Sequence, residues 1–476
     1  MGTGIFLATS LLICGLLIYN KNTRINYTLV ILYALLLVGY GVYSFVNKGV
    51  TELYYFQPDS LGILMIASLA IVTVPALWHG YRYIVNRKEE TPGSRGLFFG
   101  AMILLITACS MAYISNHIAV NWIFVEITTL SASVLIYHHR NMRALEGVWK
   151  YVFLCAISIT FIYVGILFLS LSLKQAGIDS MTFESLYEHS SQLNPFWLKL
   201  AFLFIFTGFT VKLGLVPMYT AGIDAKDKAP APAAALLASV LMNVGFVGIY
   251  RVYAIMAHSE LKGWANTVIL IAAILTIFVA AVYMTRVKNF KRILAYSGIE
   301  HMGLVMLGLA AGGVGVYAAI LHIVLHTFVK PGLFFQFSMI YRVYESKSVY
   351  DMGNYFKYYK AGAVVLLLGF ISATAMPPSG LFISELMIFQ ALFEGHHFVI
   401  LMAVLILLTI IIWGFGTNVF KVLFTPPVKI NESRIPKISP WESMSQYVLL
   451  LLAIWLAYAP PYEFISMIEE SVKLIH

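Results

Sequence analysis

Glu126, Lys212, His322, His326, Lys330 and Glu385 are ionisable side chains set inside runs of sequence that are otherwise apolar. Glu126 lies in AVNWIFVEITTLSASVLIY and Lys212 in FLFIFTGFTVKLGLVPMY. His322 and His326 are four apart in AAILHIVLHTFVKPGLFF, with Lys330 four further on. Residues four apart stack on one face of a helix, so these three share a face. Glu385 follows the break Met376-Pro377-Pro378-Ser379-Gly380, and Glu146 and Lys150 lie on one face further upstream. A carboxylate and an ammonium in nearby spans suggest an ion pair, Glu126 with Lys212. Desolvation and pairing push the proton affinities of such groups in opposite directions, so a pair can hold or release a proton as its partner moves. Histidine passes protons between its two ring nitrogens near neutral pH. Together Lys212, His322, His326, Lys330 and Glu385 read as parts of a proton wire. Each also has a plain structural reading: a snorkelling Lys330, neutral hydrogen-bonded histidines, a loop Glu146. His322 and His326 have metal-ligand spacing, but the run around them offers only lysine as another strong polar group, so no metal site is expected. Cys14, Cys109 and Cys155 lie in apolar runs without CxxC spacing, which argues against a thiolate cluster or a disulfide framework.

The elements that would position these groups are membrane helices. Of 476 residues, 60% are hydrophobic and 11% charged, against roughly 25% charged in an average soluble domain. The mean hydropathy is +0.83. That excludes an ordinary soluble enzyme, a disordered chain and a disulfide scaffold. A crossing needs about 20 apolar residues. Candidate spans are 3–19, 27–46, 60–77, 97–114, 118–136, 149–172, 197–219, 230–254, 264–284, 293–311, 315–339, 361–393, 398–424 and 444–465, fourteen in all. The first is read as a membrane helix rather than a signal peptide, since it lacks a basic flank. The twelfth contains Pro377 and Pro378, the seventh contains Pro217 near its end, and the eighth opens with Pro230 and Pro232. Such interruptions mark broken helices whose freed backbone groups face protein or water.

Loop charge orients the chain. The net charge is +9, and basic residues gather after spans 1, 3, 5, 9, 11 and 13. They are Lys21 and Arg24; Arg82, Arg87, Lys88 and Arg95; Arg140 and Arg143; Arg286, Lys288, Lys291 and Arg292; Arg342, Lys347, Lys357 and Lys360; and Lys429, Arg434 and Lys437. The loops after spans 4, 10 and 12 have no Lys or Arg. Basic loops belong on the cytoplasmic side, which predicts a multi-pass inner-membrane protein with both termini on the outer face. The positive charge is thus topological and implies no nucleic-acid partner. No Walker A loop occurs, so ATP-driven transport within this chain is not expected.

Several longer motifs resemble the antiporter-like membrane subunits of respiratory complex I, Mrp antiporters and group 4 membrane-bound hydrogenases, over roughly residues 55–425. They are Glu126 with Thr128-Thr129-Leu130-Ser131, Glu146-Gly147-Val148-Trp149-Lys150-Tyr151, and Lys212-Leu213-Gly214-Leu215-Val216-Pro217. Further along come Ala229-Pro230-Ala231-Pro232, Lys291-Arg292-Ile293-Leu294-Ala295-Tyr296-Ser297, Glu300-His301-Met302-Gly303, and His322, His326 and Lys330. The resemblance implies an all-α polytopic fold of about fourteen transmembrane helices with two inverted five-helix repeats, each with a broken helix. Residues 1–96 would carry helices 1–3, 97–255 the first repeat, 256–425 the second, and 426–476 the C-terminal loop and helix 14. It further implies that Glu126 and Lys212 serve a first half-channel, with Glu146 beside it, and that His322, His326, Lys330 and Glu385 serve a second.

The departures from the family pattern are informative. Met218-Tyr219 stand where members commonly have Phe-His. Many members carry a lysine on span 8, where this chain has Ser239-Val240-Leu241-Met242-Asn243-Val244. Asn243 can orient water but cannot carry charge. Glu385 stands where some relatives have lysine, and no long lateral helix is expected after span 14. These features are similar to the hydrogenase-linked branch, the component F type of hydrogenase 4. The expected function is translocation of protons, or of sodium, by a non-catalytic subunit of a redox-driven complex. Its partners would be other membrane subunits, a peripheral redox module and lipids, with no cofactor in this subunit. Two alternatives stay open: a membrane subunit of an inorganic carbon transporter or Mrp-type cation/proton antiporter, and a scaffold with an inactive channel.

Overall fold

The computed structural model describes residues 2–87, 91–427 and 435–475. Lys88, Lys429 and Arg434, read above as loop charges, lie outside the described residues. The regular structure is helical. In chain order the helices are α1 (Gly2–Tyr19), α2 (Thr23–Val46), α3 (Ser60–Val85), α4 (Pro92–Ile114), α5 (Ile118–Ile136), α6 (Met142–Gln175) and α7 (Phe183–Glu188). Then come α8 (Pro195–Leu213), α9 (Thr220–Lys228), α10 (Ala231–Leu237), α11 (Val240–Ala257), α12 (Lys262–Arg286), α13 (Phe290–Ala311) and α14 (Val314–Tyr344). The chain ends with α15 (Tyr355–Tyr358), α16 (Lys360–Ala373), α17 (Gly380–Glu394), α18 (Phe398–Phe424), α19 (Met444–Tyr458) and α20 (Tyr462–Lys473).

Twelve helices among the described residues are long and apolar enough to cross a membrane, α10 and α11 counting together as one, or thirteen if α19 and α20, bent by 71°, form one span. That is one or two fewer than the fourteen expected. The shortfall falls on the broken segments. The twelfth candidate span divides into α16, with 14 residues, and α17, with 15. At 1.5 Å per residue each is only about 21–23 Å long, short of the ~30 Å hydrocarbon core. Side chains such as Leu12, Leu35, Phe153, Ile271 and Ile406 are exposed, the surface expected of helices solvated by lipid tails.

The breaks have a common cause. α8 ends at Leu213, four residues before Pro217, and α16 ends at Ala373, four before Pro377. A helical carbonyl accepts from the N–H four residues on, and proline has none. α8 then closes on Gly214, whose φ of 90° is the left-handed conformation that glycine adopts without strain, with its N–H on Thr210 O at 2.8 Å. α17 restarts at Ser379, whose Oγ accepts from Phe382 N at 3.3 Å. Pro230 and Pro232 act differently from expectation. They stand at the start of α10, where no donor is required, and the interruption comes later, between Leu237 and Val240.

By internal packing the chain forms two units: residues 1–233, 240–268 and 463–476, and residues 234–239 and 269–462. In the first, α6 and α8 approach closely through two glycines. A Cβ on Gly165 would stand 2.5 Å from Ile205 Cγ1 and 2.9 Å from Ala201 O. One on Gly208 would stand 2.4 Å from Ile162 Cγ1 and 2.7 Å from Ser158 O, and Ser158 Oγ donates to Gly208 O. Small residues at such crossings replace the hydrophobic drive that lipid removes. Buried Arg251 of α11 also ties this unit together. It donates to Asp59, 3.2 Å from each carboxylate oxygen, to Tyr113 O at 2.6 Å and to Ser115 O. Asp59 in turn caps α3 by accepting from Gly62 N at 2.7 Å. In the second unit α14 packs against α13, α16, α17 and α19, which sets the frame for its polar interior.

Candidate functional site

Each unit holds a buried polar cluster. In the first, Lys212 occupies the last turn of α8 beside the break and is 5% exposed. Its Nζ donates to Thr129 Oγ1 of α5 at 2.7 Å and to the Tyr151 hydroxyl of α6 at 3.4 Å, and it lies 5.6 Å from the centre of the Tyr151 ring. The expected Glu126–Lys212 ion pair is not formed. Thr129, three residues along α5 from Glu126, takes the ammonium instead. Glu126 is half-buried on the same helix, with Oε2 buried and free of hydrogen bonds. A carboxylate oxygen held out of water without a donor is costly, and so a natural place for a proton or a water. Glu146 and Lys150, expected on one helical face, form an ion pair at 2.5 Å, but at 62% and 54% exposure they sit on the surface of the unit. It is Tyr151, the last residue of that motif, that reaches Lys212. Asn243 is fully buried on α11.

In the second unit His322, His326 and Lys330 are all fully buried on one face of α14, and Glu385 is buried on α17. The structure adds four partners that the spacing did not single out as site residues. From α13 come Ser297, Glu300 and His301, and from α17 comes Ser384. Lys330 Nζ donates to Ser297 Oγ at 2.5 Å. His301 Nδ1 lies 3.1 Å from His322 Nε2, and His322 Nδ1 lies 2.9 Å from Ser384 Oγ. The His326 ring packs edge-on to His301, centroids 5.3 Å apart. Glu385 is the residue after Ser384. Glu300 Oε2 is buried without a hydrogen bond, 3.7 Å from His301 Nε2. Glu300 and His301 stood in a motif quoted only for its resemblance; their signal was two adjacent ionisable residues near the middle of the candidate span 293–311.

The far end of this chain is fixed by the broken helix. His301 Nε2 lies 3.1 Å from Ala373 O, the carbonyl that Pro377 leaves without a helical donor. A carbonyl only accepts, so His301 Nε2 carries a proton. One proton is then shared between His301 Nδ1 and His322 Nε2. When His301 Nδ1 is bare, His322 donates from Nε2 and its Nδ1 accepts from the Ser384 hydroxyl. That hydroxyl also has Leu381 O within 3.0 Å, and it has one hydrogen to give. If it turns to Leu381 O, His322 Nδ1 must be the donor, and the row holds one more proton. Reorienting one hydroxyl thus separates two protonation states of the row Ala373, His301, His322 and Ser384. Both nitrogens of His322 are engaged in these bonds, as suits a relay rather than a metal ligand.

A multi-pass helical membrane protein with broken helices and buried lysine, histidine and glutamate clusters is of the antiporter-like class. The sequence profile of the family described as "NADH:quinone oxidoreductase/Mrp antiporter, TM" matches residues 115–411, and the chain belongs to that family. Among curated relatives, a "Hydrogenase-4 component F homolog" from Methylacidiphilum infernorum is 25% identical over 346 residues, covering 71% of this chain and 73% of the relative. An "NADH-quinone oxidoreductase subunit N" from Halorhodospira halophila is 25% identical over 440 residues, covering 89% and 88%. Among solved structures, a chain of the membrane-bound sulfane sulfur reductase, an archaeal respiratory membrane complex, superposes with a TM-score of 0.86 at 19% identity, covering 99% and 97% of the two chains. That likeness establishes the fold.

Proposed function

We propose that this chain is the proton-translocating, antiporter-like subunit of a redox-driven membrane complex of the hydrogenase-linked type. The observation that carries the reading is the buried row from Ala373 through His301 and His322 to Ser384, with Lys330 and Glu385 beside it. In a bilayer, buried ionisable groups are expensive and are kept where charge must move. Lys212 and Glu126 would carry the corresponding transfer in the first unit, with Glu146 at its surface and Asn243 orienting water. The two stretches 97–255 and 256–425 would be the inverted five-helix repeats, and both termini would face outward.

The ion is read as a proton. Sodium is a hard cation that takes oxygen ligands, whereas the second cluster presents imidazole nitrogens and an ammonium. The redox chemistry would belong to partner subunits. The similarity to a hydrogenase-4 component F homolog supports the hydrogenase-linked branch, as does Glu385 at its position.

The test is proton uptake by the assembled complex in inverted membrane vesicles, followed with a pH-sensitive dye while redox turnover is recorded. His322→Ala and Lys212→Ala are expected to retain assembly and lose uptake. Uptake per turnover equal to that of the unaltered complex in both variants would overturn the reading. Mass spectrometry of the purified complex should find a nickel–iron hydrogenase-like subunit; a carbonic-anhydrase-like partner instead would favour inorganic carbon transport.

A further inference from the structure

The first unit contains a second buried lysine that packing alone does not explain. Lys226 lies on α9, between Pro217 and Pro230, and is 2% exposed. Its one hydrogen-bond contact among the described residues is Met242 Sδ of α11, at 3.2 Å. A thioether is a weak acceptor and cannot replace the water that an ammonium gives up on burial. The amine lies above Gly222, one turn back on α9, where a Cβ would stand 3.8 Å from Nζ. Lysines near membrane helix ends normally carry their heads to water.

Lys228, two residues on, shows the ordinary behaviour. It is 25% exposed, and its Nζ lies 3.2 Å from the Asp227 carboxylate. Its stem crosses α6 at Gly147, where a Cβ would fall 2.6 Å from Lys228 Cγ. Of two neighbouring lysines, one is paired with a carboxylate and reaches outward. The other points into the unit at Met242, the residue before Asn243, and ends on an acceptor that suits a neutral amine as well as a cation. A residue needed only to fill that space would be a methionine or leucine, at far lower cost.

We propose that Lys226 is a proton-carrying residue of the first unit, supplied by the short helix at the break rather than by a membrane span. The step is a simple proton transfer. The Nζ lone pair takes a proton from a hydronium ion, an N–H bond forming as an O–H bond breaks, and the ammonium then passes a proton to a second water molecule, an N–H bond breaking as an O–H bond forms. This rests on the reading of the chain as a proton-translocating subunit, and Lys212 separates the two claims.

The experiment measures protons taken up per redox turnover by the assembled complex in inverted vesicles. Lys226→Met keeps the length and packing of the side chain and removes the amine. Lys226→Arg keeps a cation that does not release its proton at working pH. Both are expected to assemble and to lose about tenfold or more of the uptake per turnover, while Lys226→His, which can titrate, recovers part of it. Uptake within about twofold of the unaltered complex in either the Met or the Arg variant overturns the proposal. So does failure of both to assemble, which would make the lysine structural. Lys212→Ala is run alongside. If it loses uptake while Lys226→Met keeps it, the functional reading stands and the inference about Lys226 falls. If Lys212→Ala and His322→Ala both keep full uptake, the functional reading itself has failed.

Discussion

The carbonyl oxygen of Ala373 and Nε2 of His301 lie 3.1 Å apart, and Pro377 makes that contact possible. Proline at position 377 has no N–H to give to Ala373, so the carbonyl is left for the imidazole. Pro377→Ala would restore a competing backbone donor. The expected result is a longer α16, visible as a slowly exchanging amide newly present at position 377, together with a loss of about tenfold or more in ion translocation. A freely exchanging amide there with unchanged translocation would separate the proline from the relay.

Thr129 should matter more for its hydroxyl than for its shape. Thr129→Val keeps the volume but removes the 2.7 Å acceptor of the Lys212 ammonium. A buried charge that loses a partner costs about 1–3 kcal/mol, so the variant should unfold earlier in detergent than Thr129→Ser, which keeps the oxygen. Equal thermal midpoints for the two variants would show that the bond contributes nothing measurable.

The α6–α8 crossing gives a pure packing prediction. Gly165→Ala places a methyl 2.5 Å from Ile205 Cγ1 and 2.9 Å from a backbone oxygen, so the helices must separate. A loss of about 1–3 kcal/mol is expected from such overpacking. Gly39→Ala on α2, with nothing within 4 Å of the added carbon, should stay within about 0.5 kcal/mol of the unaltered chain. Thermal unfolding in one detergent compares them directly.

Glu52, in the loop after α2, predicts a pH dependence outside the membrane spans. Its carboxylate accepts from Gly2 N at 3.1 Å, from Thr3 N at 2.7 Å and from the Tyr43 hydroxyl, fixing the start of α1. Burial pushes the carboxyl up, but the hydrogen bonds from Tyr43 and Thr3 are among those that outweigh it and hold it below the usual carboxylate range. Because the folded value is depressed, the stabilisation is fully present above the unfolded value of about 4 and is lost as pH falls through the folded one. Protection of the first turn of α1 against hydrogen exchange should therefore decline only under strongly acidic conditions. Glu52→Gln should remove that dependence. A decline centred at an ordinary carboxylate pH would contradict the account.

Much of the helical layout was legible because length and hydropathy dominate it, and three of the second-cluster groups were legible because a four-residue spacing fixes a helical face. His322, His326 and Lys330 do line one side of α14. What the sequence could not supply was the partner across the groove. Thr129 rather than Glu126 meets Lys212 because helix rotation and side-chain rotamers decide that contact, and neither has a local sequence signature. The count differs from fourteen because a broken segment has the composition of a span without its continuous length. Lys226 escaped notice because Thr220–Lys228 is polar and reads as a loop. The usable signal was its position between Pro217 and Pro230, where irregular backbone within a membrane protein must face protein or water.

The order of the chain adds a constraint on how the protein is made. α19 belongs to the second unit, yet residues from Glu463 onward belong to the first. There Tyr250 donates to Ser471 O at 2.7 Å, and Lys48 and Ser60 both donate to Glu470. The second unit is thus, in sequence, an insertion within the first. A ribosome releases most of the first unit early, then the whole of the second, and only afterwards the segment that completes the first. During synthesis the earlier helices must wait in the bilayer for a closing piece more than two hundred residues downstream of Tyr250. A chain stopped just after α19 would keep every residue of α12 through α19 and still leave its oldest part unfinished.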